Sequence, residues 1–196
     1  IHIETTNSMD TASFINALRR FIARRGNIRE LRCDNGSNFV GAKQELTEAF
    51  NSIDSEAVKN YLCQRNADLI KWTHNPPTAS HMGGVWERQI RSVRAVLSAL
   101  LMQHGHLLDD ELFRTLMTEV EAVVNGRPLT VESLSDPQGP IPLSPSHLLT
   151  MKSGVIQPVP GTFDKPDLYC RRRWRHVQRI ADEFWTRWNR EYLSSL

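Results

Sequence analysis

Ile28-Arg29-Glu30-Leu31-Arg32-Cys33-Asp34-Asn35-Gly36-Ser37-Asn38-Phe39 is the stretch that decides the fold class. A short strand reads from Ile28 to Cys33. Asp34-Asn35-Gly36 then turns the chain, because Asp and Asn side chains bond their own backbone and Gly accepts the sharp conformations of a turn. A helix follows from about Asn38 to Asn51. Upstream, Asp10 can cap a helix by accepting from its free backbone N–H groups. Phe14, Leu18, Phe21 and Ile22 mark that helix's apolar face, and Gly26 ends it. His2 to Glu4 reads as the end of an earlier strand. Downstream, Ser55 to Asn66 reads as a further helix, with Val58, Tyr61 and Leu62 on its apolar face. Leu69 to Thr73 reads as a strand that Asn75-Pro76-Pro77 stops. Strands alternating with helices predict an α/β layered architecture.

Beyond the loop Thr78 to Gly84, a helix is expected from about Val85 to Met102. Trp86, Ile90, Val93, Leu97, Leu100 and Leu101 form its core stripe. Another is expected from about Asp110 to Val124, ended by Gly126 and Pro128. Eight of the ten prolines lie between Pro128 and Pro166, so that stretch reads as an extended connector. A last helix, from about Trp174 to Leu193, carries Trp174, Val177, Ala181, Phe184, Trp185 and Trp188. Those aromatics need a partner, either the preceding core or a further domain.

At 40% hydrophobic and 23% charged residues the composition is that of a globular domain. No apolar run is long enough to span a bilayer, so no membrane partner is expected. Cys33, Cys63 and Cys170 form neither a CxxC pair nor a Cys/His zinc spacing, which fits a reducing compartment. The seven histidines show no ligand spacing either. The opening at Ile1, strand-like and without a signal pattern, leads us to expect a piece of something longer. The net charge is only +2, but arginines cluster at 19, 20, 24 and 25, at 88, 91 and 94, and at 171, 172, 173, 175 and 179. Such clusters suit a polyanion partner or a solvated helix surface.

The chemistry lies in two carboxylates. Asp34 stands at the end of a strand, which holds it rigidly. Glu87 stands in the first turn of a helix, where the positive end of the dipole favours an anion. Phosphoryl transfer at a phosphodiester is served by two magnesium ions roughly 3.5–4 Å apart, held by carboxylates and phosphate oxygens. Arg91 and Arg94 follow Glu87 by four and seven residues and share its helical face, where they could bind DNA phosphates. Gly83 and Gly84 carry no side chain, so a DNA strand could approach the backbone there. Blander roles stay open: a turn aspartate at 34, helix-end charge matching at 87, a Glu87–Arg91 pair worth about 0.3–0.5 kcal/mol, and plain loop flexibility at the glycines. Core packing is the better reading for Trp72 and Trp86.

Cys33-Asp34-Asn35-Gly36-Ser37-Asn38-Phe39 resembles the segment that carries the second carboxylate of the Asp-Asp-Glu triad in retroelement integrases. Asn75-Pro76-Pro77 through Trp86-Glu87-Arg88 resembles the segment that carries the third. The run Ala17 to Gly26, the run Ser80-His81-Met82-Gly83-Gly84-Val85-Trp86-Glu87-Arg88, and Asn125-Gly126-Arg127-Pro128-Leu129 narrow the likeness to the Bel/Pao class of long-terminal-repeat retrotransposons. Trp174-Arg175-His176-Val177-Gln178 and the aromatics that follow resemble the start of the C-terminal domain in such polyproteins. The stretch from Asp34 to Glu87 is longer than in retroviral relatives, and the helical segment Ser55 to Asn66 accounts for that.

The resemblance implies a ribonuclease-H-like core over residues 1–127, a Pro-rich connector over 128–166, and a basic, aromatic helix over 167–196 that opens a C-terminal domain. It implies 3′-end processing and strand transfer of element DNA into target DNA, dependent on magnesium or manganese in a two-metal site. Asp34 and Glu87 would be metal ligands and catalytic residues. Arg88, Arg91, Arg94, Asn35, Gly83 and Gly84 would meet DNA. Self-association and a nuclear site of action are implied in the same way. The family's first catalytic aspartate lies on a strand upstream of His2–Glu4, and Asp10, at a helix start, does not fit that role. The core is therefore expected to be truncated at its N-terminal strand, and this piece alone to be weak or inactive. Two other readings are a non-catalytic, host-retained DNA-binding or protein-interaction module, motivated by the late arginines and the aromatic helix, and a decayed remnant.

Overall fold

The computed structural model describes residues 1–34, 36–52, 56, 60, 63, 70–74, 84–129, 141–151 and 159–193. The fold is mixed α/β, mostly helical, with a small parallel sheet of two strands among the described residues. In chain order the elements are α1 (Thr11–Arg25), β1 (Glu30–Cys33), α2 (Ser37–Asn51), β2 (Lys71–His74), α3 (Gly84–His104), α4 (Asp110–Asn125), α5 (Pro145–Thr150) and α6 (Arg173–Leu193). Single 3-10 turns lie at Gly105–Leu107 and Lys165–Tyr169. Residues 56, 60 and 63 are helical, and the rest of the helix expected over Ser55–Asn66 lies outside the described residues. The chain forms two compact units, Glu4–Glu87 and Ile1–Ile3 with Arg88–Leu196.

In the first unit, α1 begins where Asp10 Oδ1 accepts the Ser13 N–H at 2.7 Å. It ends at Gly26, whose φ of +90° suits a residue without Cβ and whose N–H bonds the Ile22 carbonyl at 2.8 Å. Strands β1 and β2 pair in parallel, with Glu30 opposite Lys71 and Cys33 opposite His74. Along β1, Leu31 and Cys33 turn inward while Glu30 and Arg32 are exposed, as the period of two requires. Glu30 accepts from the Thr73 hydroxyl and from Arg32, and those bonds hold its carboxyl below the usual range. On the inner face Phe14 packs edge-on to Phe39 at 4.7 Å and to Trp72 at 6.2 Å, so Trp72 is a packing residue. Helices α1 and α2 come close at Gly41, where a Cβ would stand 2.4 Å from Thr11 Oγ1. Arg20 and Arg24 both reach Glu4, at 2.8 and 2.5 Å.

The second unit has one apolar cluster. Val93, Val96 and Leu100 of α3 meet Leu112, Leu116, Val120 and Val124 of α4 and Val177, Ile180, Phe184 and Trp188 of α6. Helix α4 starts where Asp109 accepts the Leu112 N–H at 3.0 Å. The preceding core is thus the partner of the aromatic helix, although Trp174 and Trp185 stay half-exposed. The proline-rich stretch is not wholly extended. It contains α5, capped reciprocally by Ser144 and His147, and it sends Phe163 into the interior.

Two further expectations are corrected. Ile90 is 46% exposed rather than core. The buried line of α3 runs through Val93, Val96 and Leu100, roughly a quarter-turn round the helix from the line of Ile90, Leu97 and Leu101. His2–Glu4 has no regular secondary structure and is not a strand. Its backbone neighbours are side chains of α4: the Ile3 N–H donates to Glu121 at 2.7 Å, and Asn125 Nδ2 donates to the Ile1 carbonyl at 2.7 Å. Ile1 and Ile3 pack against the cluster, so the alternation is that of an apolar edge laid on a helix.

His176, only 5% exposed, has no hydrogen-bond partner for Nε2 among the described residues. Burial lowers its pKa from the ordinary 6.5, and His104, which is paired with Glu183, and Arg173 push the same way. A base with a depressed folded value adds stability that is present above about 6.5 and lost as pH falls through that lower value, by up to about 1.4 kcal/mol per pH unit. Denaturant titrations above and below that value should show the loss in the wild type. His176→Leu should flatten it, and an unchanged profile would remove His176 as its cause.

Candidate metal and nucleic-acid site

Asp34 follows β1 directly, at the carboxyl edge of the parallel pair, where α/β folds tend to place ligands. The Gly36 N–H donates to Asp34 Oδ1 at 2.9 Å, which closes an Asx turn into α2. Gly36 starts α2 without a side-chain cap, and a Cβ there would stand 2.8 Å from Asn38 Oδ1 and 3.1 Å from Asp34 Oδ1. The turn therefore uses the side-chain oxygen of residue 34, and a larger residue at 36 would have to move the Asn38 and Asp34 side chains. Asp34 is exposed, and its Oδ2 bonds no described residue. Asn35 lies outside the described residues.

Glu87 is exposed in the first turn of α3 and bonds no described residue. Arg88, Arg91 and Arg94 continue along the same helix, all exposed, and none pairs with an acid among the described residues. The Glu87–Arg91 pair that the spacing allowed is not formed. Gly84 begins α3, and Gly83 and the side chain of Trp86 lie outside the described residues. Asp34 and Glu87 belong to the first compact unit and the three arginines to the second.

Both carboxylates fit a hard cation in donor type, being oxygen ligands open to solvent. Among the described residues no three His, Cys, Asp or Glu side chains converge as a cation cage.

The other arginine clusters are largely tied down. Arg20 and Arg24 are held by Glu4. Arg173 pairs with Asp109. Arg175 forms a fork to both oxygens of Asp167, at 2.7 and 3.2 Å, and donates to the Thr162 carbonyl at 2.9 Å. Its guanidinium lies 5.1 Å from the Phe163 ring and 5.5 Å from the Trp174 ring. That fork holds the Asp167 carboxyl low, and the Asp164 backbone adds to it. Arg179 donates to the Phe163 carbonyl at 3.5 Å. Side-chain ties of this kind are invisible in a run of basic letters.

One residue at this edge escapes a reading by motif. His74 ends β2, and its Nδ1 lies 3.2 Å from the Asp34 carbonyl and 3.5 Å from Cys33 Sγ. The signal was the strand itself, which runs one residue further than its expected end at Thr73. Burial raises the Cys33 thiol pKa, and the neighbouring Asp34 charge adds to it.

No helix among the described residues is long and apolar enough to cross a membrane. A family described only as of unknown function (DUF5641) matches residues 172–196, which cover α6. No curated protein and no solved structure matches the chain.

Proposed function

We propose that this chain is the catalytic core of an integrase of the Bel/Pao class of long-terminal-repeat retrotransposons, built on a ribonuclease-H-like fold. One observation carries the reading: an exposed aspartate at the carboxyl edge of a parallel strand pair, in a sequence that also places an exposed glutamate at the start of an arginine-bearing helix. Asp34 and Glu87 would hold magnesium or manganese, which would supply charge stabilisation to a phosphoryl transfer. Arg88, Arg91 and Arg94 take DNA phosphates, and Asn35, Gly83 and Gly84 meet DNA. The protein acts in the nucleus as a homo-oligomer on element ends and target duplex. The late arginines support a separate binding module less well, since three of the five are held by Asp109, Asp167 and the Phe163 carbonyl.

The test is strand transfer by the full-length protein, with a processed donor end, a target duplex and Mn2+. Metal-dependent joining is the expected result. Salt-dependent DNA binding that is indifferent to metal, with no joining, would replace this reading by the binding module.

Arg91 and Arg94 allow a second measurement. Each phosphate contact contributes about 0.9 to the slope of log K against log [salt]. The double variant Arg91→Ala/Arg94→Ala should flatten that slope by about 2 and weaken binding across sequences alike. An unchanged slope would leave these arginines as solvated surface.

A further inference from the structure

His74 and Asp34 leave the sheet at the same edge, because Cys33 and His74 are register partners. The bond at 3.2 Å from His74 Nδ1 to the Asp34 carbonyl has one possible direction. A carbonyl oxygen only accepts, so the ring proton is on Nδ1. The Cys33 sulfur, 3.5 Å from the same nitrogen, is a second and weaker acceptor. The imidazole also lies stacked near Trp72, 6.5 Å between ring centres and 15° between planes, and Trp72 rests on Phe14. The ring is therefore set by packing as well as by its bond. Asp34 is held at two points, its carbonyl by His74 and its Oδ1 by Gly36, and Oδ2 bonds no described residue.

We propose that His74 is a positioning residue for Asp34: by holding the Asp34 carbonyl it fixes the direction in which the carboxylate leaves the sheet edge toward a divalent cation. The proposal rests on the reading of Asp34 as a metal ligand. Losing such an outer partner weakens metal binding about 10–100-fold in comparable sites. His74→Phe keeps an aromatic ring beside Trp72 and removes the donor. His74→Asn restores a donor, since the amide nitrogen occupies nearly the place of Nδ1.

The experiment is Mn2+ titration of the protein by water-proton relaxation, with thermal melting alongside. His74→Phe should raise the Mn2+ dissociation constant about 10–100-fold at an unchanged melting temperature, and His74→Asn should return most of the affinity. If Asp34→Asn loses Mn2+ while His74→Phe binds as the wild type does, the positioning role is overturned and the metal reading stands. If Asp34→Asn itself binds Mn2+ like the wild type, the metal reading falls first. Should the Phe variant unfold, His74→Leu serves as the donor-less form. Equal affinity of the Leu and Asn variants overturns the proposal.

Discussion

Asp34→Asn is expected to reduce metal-dependent DNA joining by the full-length protein on the order of 10^3-fold or more, while the protein melts as before. The substitution separates the two roles that Asp34 can hold. Asparagine keeps the side-chain oxygen that accepts the Gly36 N–H, so the turn into α2 survives. What disappears is the negative charge. Removing several kcal/mol of charge stabilisation from a phosphoryl-transfer transition state costs a thousandfold at about 1.4 kcal/mol per decade. Glu87→Gln should do the same, since Glu87 bonds no described residue. Single-turnover joining assays with both variants, beside melting curves, make the comparison. Activity within a few-fold of the wild type would return Asp34 to the role of a turn residue.

Phe184→Ala is expected to cost about 3–5 kcal/mol, the usual range for truncating a buried aromatic. Phe184 is fully buried in the cluster of α3, α4 and α6 and stacks on Trp188 at 6.0 Å between ring centres. The space left would lie within that cluster, on helices whose backbone bonds resist collapse. A domain's whole stability is about 5–15 kcal/mol, so the variant should lose amide protection along α4 and α6. Hydrogen exchange and denaturant midpoints check this, and a cost below about 1 kcal/mol would mean the packing there is not what holds α6.

Much of this architecture is legible in the letters, for physical reasons that differ by element. The cap at Asp10 and the stop at Gly26 are local events within a few residues, so sequence reads them directly. The apolar faces of α4 and α6 follow helical spacing. Tertiary choice is less accessible. Ile90 fits the α3 stripe, yet a rotation of a quarter-turn decides which side is buried. Ile1 and Ile3 alternate as a strand does, and only the partners, Glu121 and Asn125, show that the segment lies on a helix. At the candidate site Asp34 and Glu87 carry motif context, whereas His74 acts through the register of β1 and β2, which no single stretch of sequence states.

The clamp on residues 1–3 also sets an order of events during synthesis. The Ile3 amide waits for an acceptor 118 residues later, and the Ile1 carbonyl for a donor 124 residues later. At ribosomal speeds of about 5–20 residues per second, roughly 6–25 s pass between making the first partner and the last. The whole Glu4–Glu87 unit is translated in that interval, so it has time to fold before the second core can close. Until then Ile1 and Ile3 have no cluster to enter, so this segment is captured long after it is made.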